Sequence, residues 1–179
     1  MDTPPSWLVR PREATYDLDN ILLAGLSQQE RATGVRAIFD LDYLVIEGHA
    51  REDKTMSPPR GLQLQLVSGN GKVIADTLVV ANLGYTQFRT KPGVFKLEIR
   101  PGRGREIFKL DSVGNEGWES PSVEDAGDDV TLMSFEGLTL YPRMSRQPGM
   151  DIADVLAEEP YSEDKSFVEK LKARCDIML

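Results

Sequence analysis

The sequence has few of the residues that carry metal and thiol chemistry. Its 179 residues include one cysteine, Cys175, and one histidine, His49. A single cysteine excludes an internal disulfide and any cysteine-cluster metal site. A single histidine excludes zinc sites with two or three histidines and leaves little room for a histidine-based triad. Much of the enzyme repertoire is thereby excluded, and Cys175 is either a spectator thiol or a partner for a cysteine outside this chain.

The sequence also lacks long apolar runs and an excess of basic residues. Hydrophobic residues make up 40% of the chain, but no stretch approaches the ~20 needed to span a bilayer. With 21 basic and 29 acidic residues, the net charge of −8 gives no general attraction for phosphate backbones. We therefore expect neither a membrane nor a nucleic acid as partner. Residues 1–5 are polar and unlike a signal peptide, which taken alone favours the cytosol.

Strand-like alternation of apolar and polar residues is abundant in the middle of the chain. Residues 62–66 and 95–100 alternate cleanly, which indicates antiparallel strands with one buried face. Asn70-Gly71 and Pro92-Gly93 are turn signals between such runs. The pattern predicts an all-β, antiparallel β-sandwich of about eight strands. They are expected near 35–48, 61–67, 72–76, 77–82, 85–90, 93–100, 105–111 and 129–141, the last interrupted at Gly137.

Composition divides the chain into three parts. Residues 1–25 are expected to be an entry segment that packs on the sandwich, and residues 26–147 the sandwich domain. Residues 148–179 form an acidic linker or tail, either partly helical or disordered, with a short helix compatible with residues 162–174. Within the sandwich, residues 114–129 are rich in Gly, Ser and acidic residues and are interpreted as a long solvated loop.

Paired carboxylates are the main candidates for chemistry. Two Asp-x-Asp triplets occur, at residues 17–19 and 40–42, a pattern that can hold a divalent metal against a diphosphate. Residues two apart in a strand share a face, so Asp40 and Asp42 are more simply explained as its polar side. The acidic residues of 124–129 suggest calcium, but their spacing does not match a helix-loop-helix calcium loop, and a solvated loop is favoured.

The aromatic residues and the histidine are interpreted as structural. His49 is expected to be a strand-end or surface residue. Aromatics on predicted strands are expected in the core rather than on a sugar-stacking platform: Tyr85, Phe88, Phe95 and Phe108. Trp7 and Trp118 lie in expected non-strand segments and would pack over the sandwich ends or face a partner. The pattern thus indicates a soluble β domain rather than an enzyme.

Several sequence blocks carry a family resemblance. They follow one another in the order Met1-Asp2-Thr3-Pro4-Pro5-Ser6-Trp7-Leu8-Val9, Tyr16-Asp17-Leu18-Asp19-Asn20-Ile21, Leu44-Val45-Ile46-Glu47-Gly48-His49, Pro58-Pro59-Arg60-Gly61-Leu62-Gln63, Ala81-Asn82-Leu83-Gly84-Tyr85-Thr86-Gln87-Phe88 and Lys91-Pro92-Gly93. Over residues 1–142 the chain resembles the second β-sandwich of UDP-glucose:glycoprotein glucosyltransferases. Val94-Phe95 and Gly104 depart from the family pattern, and residues 112–129 and the tail after Arg143 match it poorly.

The resemblance implies a role within a larger enzyme of the endoplasmic reticulum lumen. Such enzymes use UDP-glucose and a divalent metal ion to re-glucosylate high-mannose N-glycans of misfolded glycoproteins. This chain would be the sandwich just before the transferase domain, with Met1 an internal residue. The transferase's own Asp-x-Asp would lie downstream, so no catalytic, metal or cofactor-binding residue is expected here.

Three hypotheses for the role of the chain follow. In the first it is a scaffold that positions the transferase domain against neighbouring domains. In the second it is a surface that binds exposed hydrophobic patches of misfolded clients. The candidate contact residues for either are Trp7, Leu8 and Trp118. In the third it is a free-standing glycan- or calcium-binding sandwich.

Overall fold

Short strands in three sheets build the fold. The computed structural model describes residues 3–157. Its strands are β1 (Trp7–Ala14), β2 (Ala37–His49), β3 (Arg51–Glu52), β4 (Gln63–Ser68), β5 (Val73–Leu78), β6 (Tyr85–Thr90), β7 (Gly93–Ile99), β8 (Phe108–Ser112), β9 (Asp129–Leu132), β10 (Leu138–Leu140) and β11 (Arg143–Arg146). The helices are short: α1 (Gln28–Thr33), α2 (Arg103–Ile107) and α3 (Val123–Ala126), with a 3-10 turn at Leu23–Gly25.

The strands pair mainly in antiparallel fashion. The first sheet contains β1, β2, β10 and β6, with β2 paired to each of the other three. The second sheet has the order β5-β4-β7-β9 and the third the order β3-β11-β8. Only β10 with β2 and β11 with β3 run parallel among the described strands. The predicted all-β, antiparallel-rich sandwich is confirmed.

The core lies between the inner faces of the sheets. Phe88 of β6, Phe95 of β7 and Phe108 of β8 are buried, as predicted. Leu44 and Ile46 of β2 are buried as well, and the core continues through a set of aliphatic residues: Leu64, Leu66, Leu97, Ile99, Val130, Leu132, Leu140 and Met144. Tyr85 differs from the three phenylalanines, since its side chain is partly exposed on the opposite face of β6.

Strand β4 is buried on both faces. The alternation of residues 62–66 predicts one solvent-exposed face, yet Gln65 is only 6% exposed. Its amide donates a hydrogen bond to Glu98 Oε2 at 3.2 Å, which compensates for the burial. Because β4 pairs with β5 on one side and β7 on the other, it is a central strand of the second sheet.

The strands predicted over residues 72–82 need a correction. Residues 72–76 and 77–82 are not two strands; β5 covers 73–78, and residues 79–84 form a turn in which the Gly84 N–H donates to Val80 O. Gly84 has φ +71, which favours glycine at this position. The interruption predicted at Gly137 is confirmed, because 129–141 is divided into β9 and β10 and Gly137 lies in the connection with φ +81.

Helix α2 precedes β8, where a continuous strand over 105–111 was predicted, and β11 was not predicted at all. The alternation signal fails here because α2 has five residues and β11 four, too few for a period to be distinguished.

Residues 147–157 lie along the sandwich. Arg146 Nη1 donates to Met150 O at 3.0 Å and Ala153 O at 2.7 Å, and Arg103 Nε donates to Asp154 O at 2.9 Å. Leu156 packs so closely that a Cβ on Gly61 would lie 2.6 Å from it. We name residues 147–157 the strap. The helix expected over 162–174 and Cys175 lie outside the described residues, and the division at 25 and 147 stays a prediction.

Candidate functional site

A two-stranded ribbon extends beyond the sandwich. Strand β1 pairs with β2 from Ala37 to Leu44, whereas β6 and β10 pair with β2 only from Leu44 onward. Within residues 3–157, β1 packs on no strand or helix other than β2 to a comparable extent. Trp7 at its base packs against the core cluster and joins the ribbon to the sandwich. The segment from Trp7 to Ala14 is therefore a strand, and the expected non-strand setting of Trp7 is wrong.

Charged pairs occupy one face of the ribbon. Arg10 Nε lies 3.2 Å from Asp42 Oδ2, and Arg12 Nη1 lies 3.2 Å from Asp40 Oδ1. The two carboxylates share a face, as their spacing predicts. Because each already has an arginine partner, this Asp-x-Asp does not fit a divalent metal that needs free carboxylate oxygens.

Apolar side chains occupy the other face. Val9 faces Leu41 and Pro11 faces Phe39 across the two strands. The register shifts between Leu8 and Val9, where β2 has one residue more than β1, and Leu8 lies beyond this shift. Leu41 is 37% exposed. We name four side chains the apolar ribbon face: Val9, Pro11, Phe39 and Leu41.

Trp7, at the base of the ribbon, contacts the connection between β9 and β10. Its Nε1 donates to Phe135 O at 2.6 Å, and the two rings meet edge to face with centroids 6.2 Å apart. Beside this contact, Phe135 is 60% exposed and Met133 76% exposed. The exposed apolar surface at the base of the ribbon thus belongs to Phe135 and Met133, which follow β9, whereas the strand predicted over 129–141 included both.

Residues 15–36 connect β1 to β2 at the far end of the ribbon, and we name them the tip. Hydrogen bonds between polar groups hold this segment together. Ser27 and Glu30 form a capping box on α1: Ser27 Oγ accepts from Glu30 N at 3.2 Å, and Glu30 Oε2 accepts from Ser27 N at 2.9 Å. The hydrogen bonds from Ser27, followed by one from the Tyr16 hydroxyl, lower the pKa of Glu30 below its ordinary value. Bonding to Glu30 in turn raises the pKa of Tyr16. The tip presents Leu22 and Leu23 to solvent.

Trp118 belongs to a different cluster from Trp7 and Leu8. It lies in the loop after β8, and its ring meets that of Tyr141 edge to face with centroids 5.0 Å apart. No described contact joins it to the ribbon. The structure therefore brings together Trp7 and Leu8 but places Trp118 apart from them.

Several of the remaining carboxylate candidates have partners within the chain. Asp17 Oδ1 accepts the Asp19 amide at 3.3 Å in a turn. Among the acidic residues of 124–129, Glu124 Oε1 lies 2.7 Å from Lys109 Nζ, and Asp128 and Asp129 both pair with Lys96. These contacts raise the pKa of both lysines. The described residues hold no group of three or more His, Cys, Asp or Glu arranged for a metal ion.

Comparison with known proteins identifies the family. The family model for UDP-glucose:Glycoprotein Glucosyltransferase matches residues 47–157. Mouse UDP-glucose:glycoprotein glucosyltransferase 1 is 35% identical over 173 residues, 96% of this chain and 11% of its own length. The fruit-fly (Drosophila melanogaster) UDP-glucose:glycoprotein glucosyltransferase is 34% identical over 89% of this chain and 10% of its own length. The probable UDP-glucose:glycoprotein glucosyltransferase A of Dictyostelium discoideum is 42% identical over 62% of this chain and 6% of its own length.

The chain belongs to the UDP-glucose:glycoprotein glucosyltransferase family. It spans about a tenth of the length of the curated relatives it matches. The matched region also extends beyond residues 1–142, since the family model includes the strap to residue 157. No helix within residues 3–157 is long and apolar enough to cross a membrane.

Proposed function

We propose that this chain is a non-catalytic sandwich domain of a larger glycoprotein glucosyltransferase of the endoplasmic reticulum lumen. The whole enzyme would transfer glucose from UDP-glucose to high-mannose N-glycans of misfolded glycoproteins, with a divalent metal ion in a separate transferase domain. In this proposal the sandwich holds the transferase domain in a fixed position relative to neighbouring domains.

The apolar ribbon face is the observation that supports a scaffold role. A two-stranded ribbon with one apolar face has too little buried area to be stable without a further partner. Leu41 stays exposed on that face, while the charged face is already paired within the ribbon. The relatives are about ten times longer than this chain, so neighbouring domains of the same polypeptide are the natural partner for the face.

The charge pattern of the chain supports a non-catalytic role. The candidate carboxylates Asp40, Asp42, Glu124 and Asp128 are in ion pairs with arginine or lysine. A metal-assisted transfer needs carboxylate oxygens directed at the ion. No step of the transfer reaction is assigned to these residues.

The test compares two exposed apolar positions in the full-length enzyme. Leu41→Glu places a charge on the apolar ribbon face, and Val73→Glu places one at a similarly exposed position on β5. If the face is an interdomain contact, Leu41→Glu lowers glucose transfer to a misfolded glycoprotein by roughly tenfold, a loss of about 1.4 kcal/mol, while Val73→Glu leaves it unchanged. Transfer to a small soluble glycan acceptor, which needs only the transferase domain, should persist in both. Equal activity of both variants on both acceptors would refute the scaffold role.

Direct client binding is the second candidate. Phe135 and Met133 form an exposed apolar site at the ribbon base, of the kind that contacts unfolded chains. The 179-residue chain should then bind a denatured glycoprotein, and the double change Met133→Ser with Phe135→Ser should abolish the binding. Absence of binding by the unaltered chain would count against this candidate and leave the scaffold role untouched.

A further inference from the structure

Four rings form a continuous row across the first sheet. His49 of β2 faces Tyr85 of β6, with ring centroids 5.8 Å apart. On the other side, His49 stacks on Tyr141, which directly follows β10, at 5.7 Å. Trp118 extends the row beyond Tyr141, with centroids 5.0 Å apart. We name these four residues the aromatic row; all four side chains are partly exposed.

A polar row runs beside the aromatic one. Glu47 lies two residues before His49 on β2, and it faces Gln87 of β6 and Thr139 of β10. These three residues form the polar row. Because strand residues two apart point to the same side, the polar row and the aromatic row share the outer face of the sheet. The Tyr85 hydroxyl donates to Glu47 Oε1 at 3.0 Å, which joins the two rows.

The aromatic row is held in place rather than loosely exposed. The loop that carries Trp118 is closed by Ser120, whose Oγ donates to Gly117 O at 2.7 Å and accepts from Glu116 N at 2.8 Å. Tyr141 N donates to Gly114 O at 3.0 Å, so the loop and Tyr141 are fixed to each other. A preorganised surface loses little conformational entropy when it binds a ligand.

The chemistry of the two rows matches a neutral, hydroxyl-rich ligand. Aromatic faces carry partial negative charge and attract the weakly positive C–H groups on the flat side of a sugar ring. Carboxylate and amide side chains bond the sugar hydroxyls at its edge. Glu47 is partly buried and has no cationic partner among the described residues, so its oxygens are available to hydroxyl donors and would repel an anionic ligand.

We propose that the aromatic row and the adjacent polar row form a binding surface for a neutral oligosaccharide. The surface is separate from the apolar ribbon face, and it involves Trp118 but neither Trp7 nor Leu8. The proposal does not depend on the scaffold role, because the rows lie within this chain whatever its neighbours are.

The test titrates the 179-residue chain with two probes of equal length, a manno-oligosaccharide and a gluco-oligosaccharide. Trp7→Phe leaves Trp118 as the reporter of intrinsic fluorescence, since the chain has two tryptophans. Titration calorimetry measures binding by the variants, because Trp118→Ala removes that reporter. We expect saturable binding of at least one probe with a Kd of about 1 mM or tighter. Trp118→Ala and Tyr141→Ala should each weaken it by roughly tenfold or more, because each removes a stacking surface.

Two further variants separate ligand contact from folding. Glu47→Gln keeps the size of the side chain and should weaken binding while the denaturation midpoint changes little. Val94→Ala shortens an exposed apolar side chain of β7, outside the row, and should leave binding unchanged. The proposal is overturned if neither probe binds, or if binding survives both Trp118→Ala and Tyr141→Ala.

Discussion

Arg146 and Glu52 form a two-point ion pair across the third sheet. Arg146 Nε donates to Glu52 Oε2 at 3.1 Å and Nη2 donates to Oε1 at 3.0 Å, with the Glu52 side chain only 11% exposed. The same guanidinium lies 4.8 Å from the centre of the Phe108 ring and donates to two carbonyls of the strap. One side chain thus connects β11, β3, the core and the strap.

Removal of this pair should destabilise the chain and release the strap. Arg146→Ala leaves the nearly buried Glu52 carboxylate without its partner, and such losses cost about 3 kcal/mol. Arg100→Ala is the matched control, because its pair with Asp76 is exposed on both sides and should be worth less than about 1 kcal/mol. Urea denaturation measures both, and hydrogen exchange over residues 147–157 should quicken only in Arg146→Ala. Equal losses in the two variants would contradict the connecting role of Arg146.

Two phenylalanines offer a second contrast, between core and surface. Phe88 is 1% exposed, and Phe88→Ala should lower the free energy of unfolding by about 3–5 kcal/mol through lost burial and a cavity. Phe135→Ala removes a ring that is largely in solvent and should change it by less than about 1 kcal/mol. Thermal or chemical denaturation of the 179-residue chain gives both values. A large loss for Phe135→Ala would mean that this ring serves the fold rather than a partner.

Two glycines with the same φ allow the cost of backbone strain to be measured apart from the cost of a steric clash. Gly71 and Gly114 both have φ +79, but a Cβ on Gly71 meets nothing within 4 Å, whereas one on Gly114 would lie 2.2 Å from the Tyr141 backbone. Gly71→Ala should therefore cost only the backbone strain, about 1 kcal/mol. Gly114→Ala must also displace Tyr141 and should cost more. The denaturation midpoints of the two variants measure these costs. Equal costs would show that the Tyr141 backbone moves easily to make room for the added methyl group.

The tip of the ribbon should lose structure in acid. Glu30 has a lowered pKa, so its hydrogen bonds stabilise α1 above its ordinary pKa of 4.5 and are lost as the pH falls through the lower folded value. Ser27→Ala removes the main cause of the shift and should move the pKa of Glu30 upward toward 4.5. Carboxyl titration by NMR measures both. An unchanged Glu30 pKa in Ser27→Ala would mean that the capping box is not formed in solution.

Sequence patterns predicted the strands and turns that depend on residues close together in the chain. Alternation located β7, and Asn70-Gly71 marked the β4–β5 turn, where Gly71 adopts its positive φ. Strand β1 was missed because Pro11 and the charged residues around it weaken the strand signal; it exists because β2 provides a long partner. Such pairing depends on residues about 30 positions away, which no local window includes.

The candidate sites also depend on contacts between residues that are distant in sequence. Trp7 and Trp118 were candidates because they are tryptophans in segments expected to be non-strand, with Leu8 beside Trp7, and the role of all three as contacts stays a prediction. The aromatic row could not be predicted, because His49, Tyr85, Trp118 and Tyr141 come from four distant segments. Alternation indicates that a strand has two faces, but the register decides which residues of different strands share one.

The two parallel pairings affect how the chain can fold as it is synthesised. Strand β10 lies on β2 and β11 on β3, so residues 138–146 must reach segments made about ninety residues earlier. Contacts of such long range slow folding, since loop-closure entropy is lost before they form. Until residue 140 has left the ribosome, β2 has no β10 beside it, and until residue 146 has left it, the third sheet lacks its middle strand. The newly made chain therefore exposes apolar strands during that interval, when aggregation competes with folding.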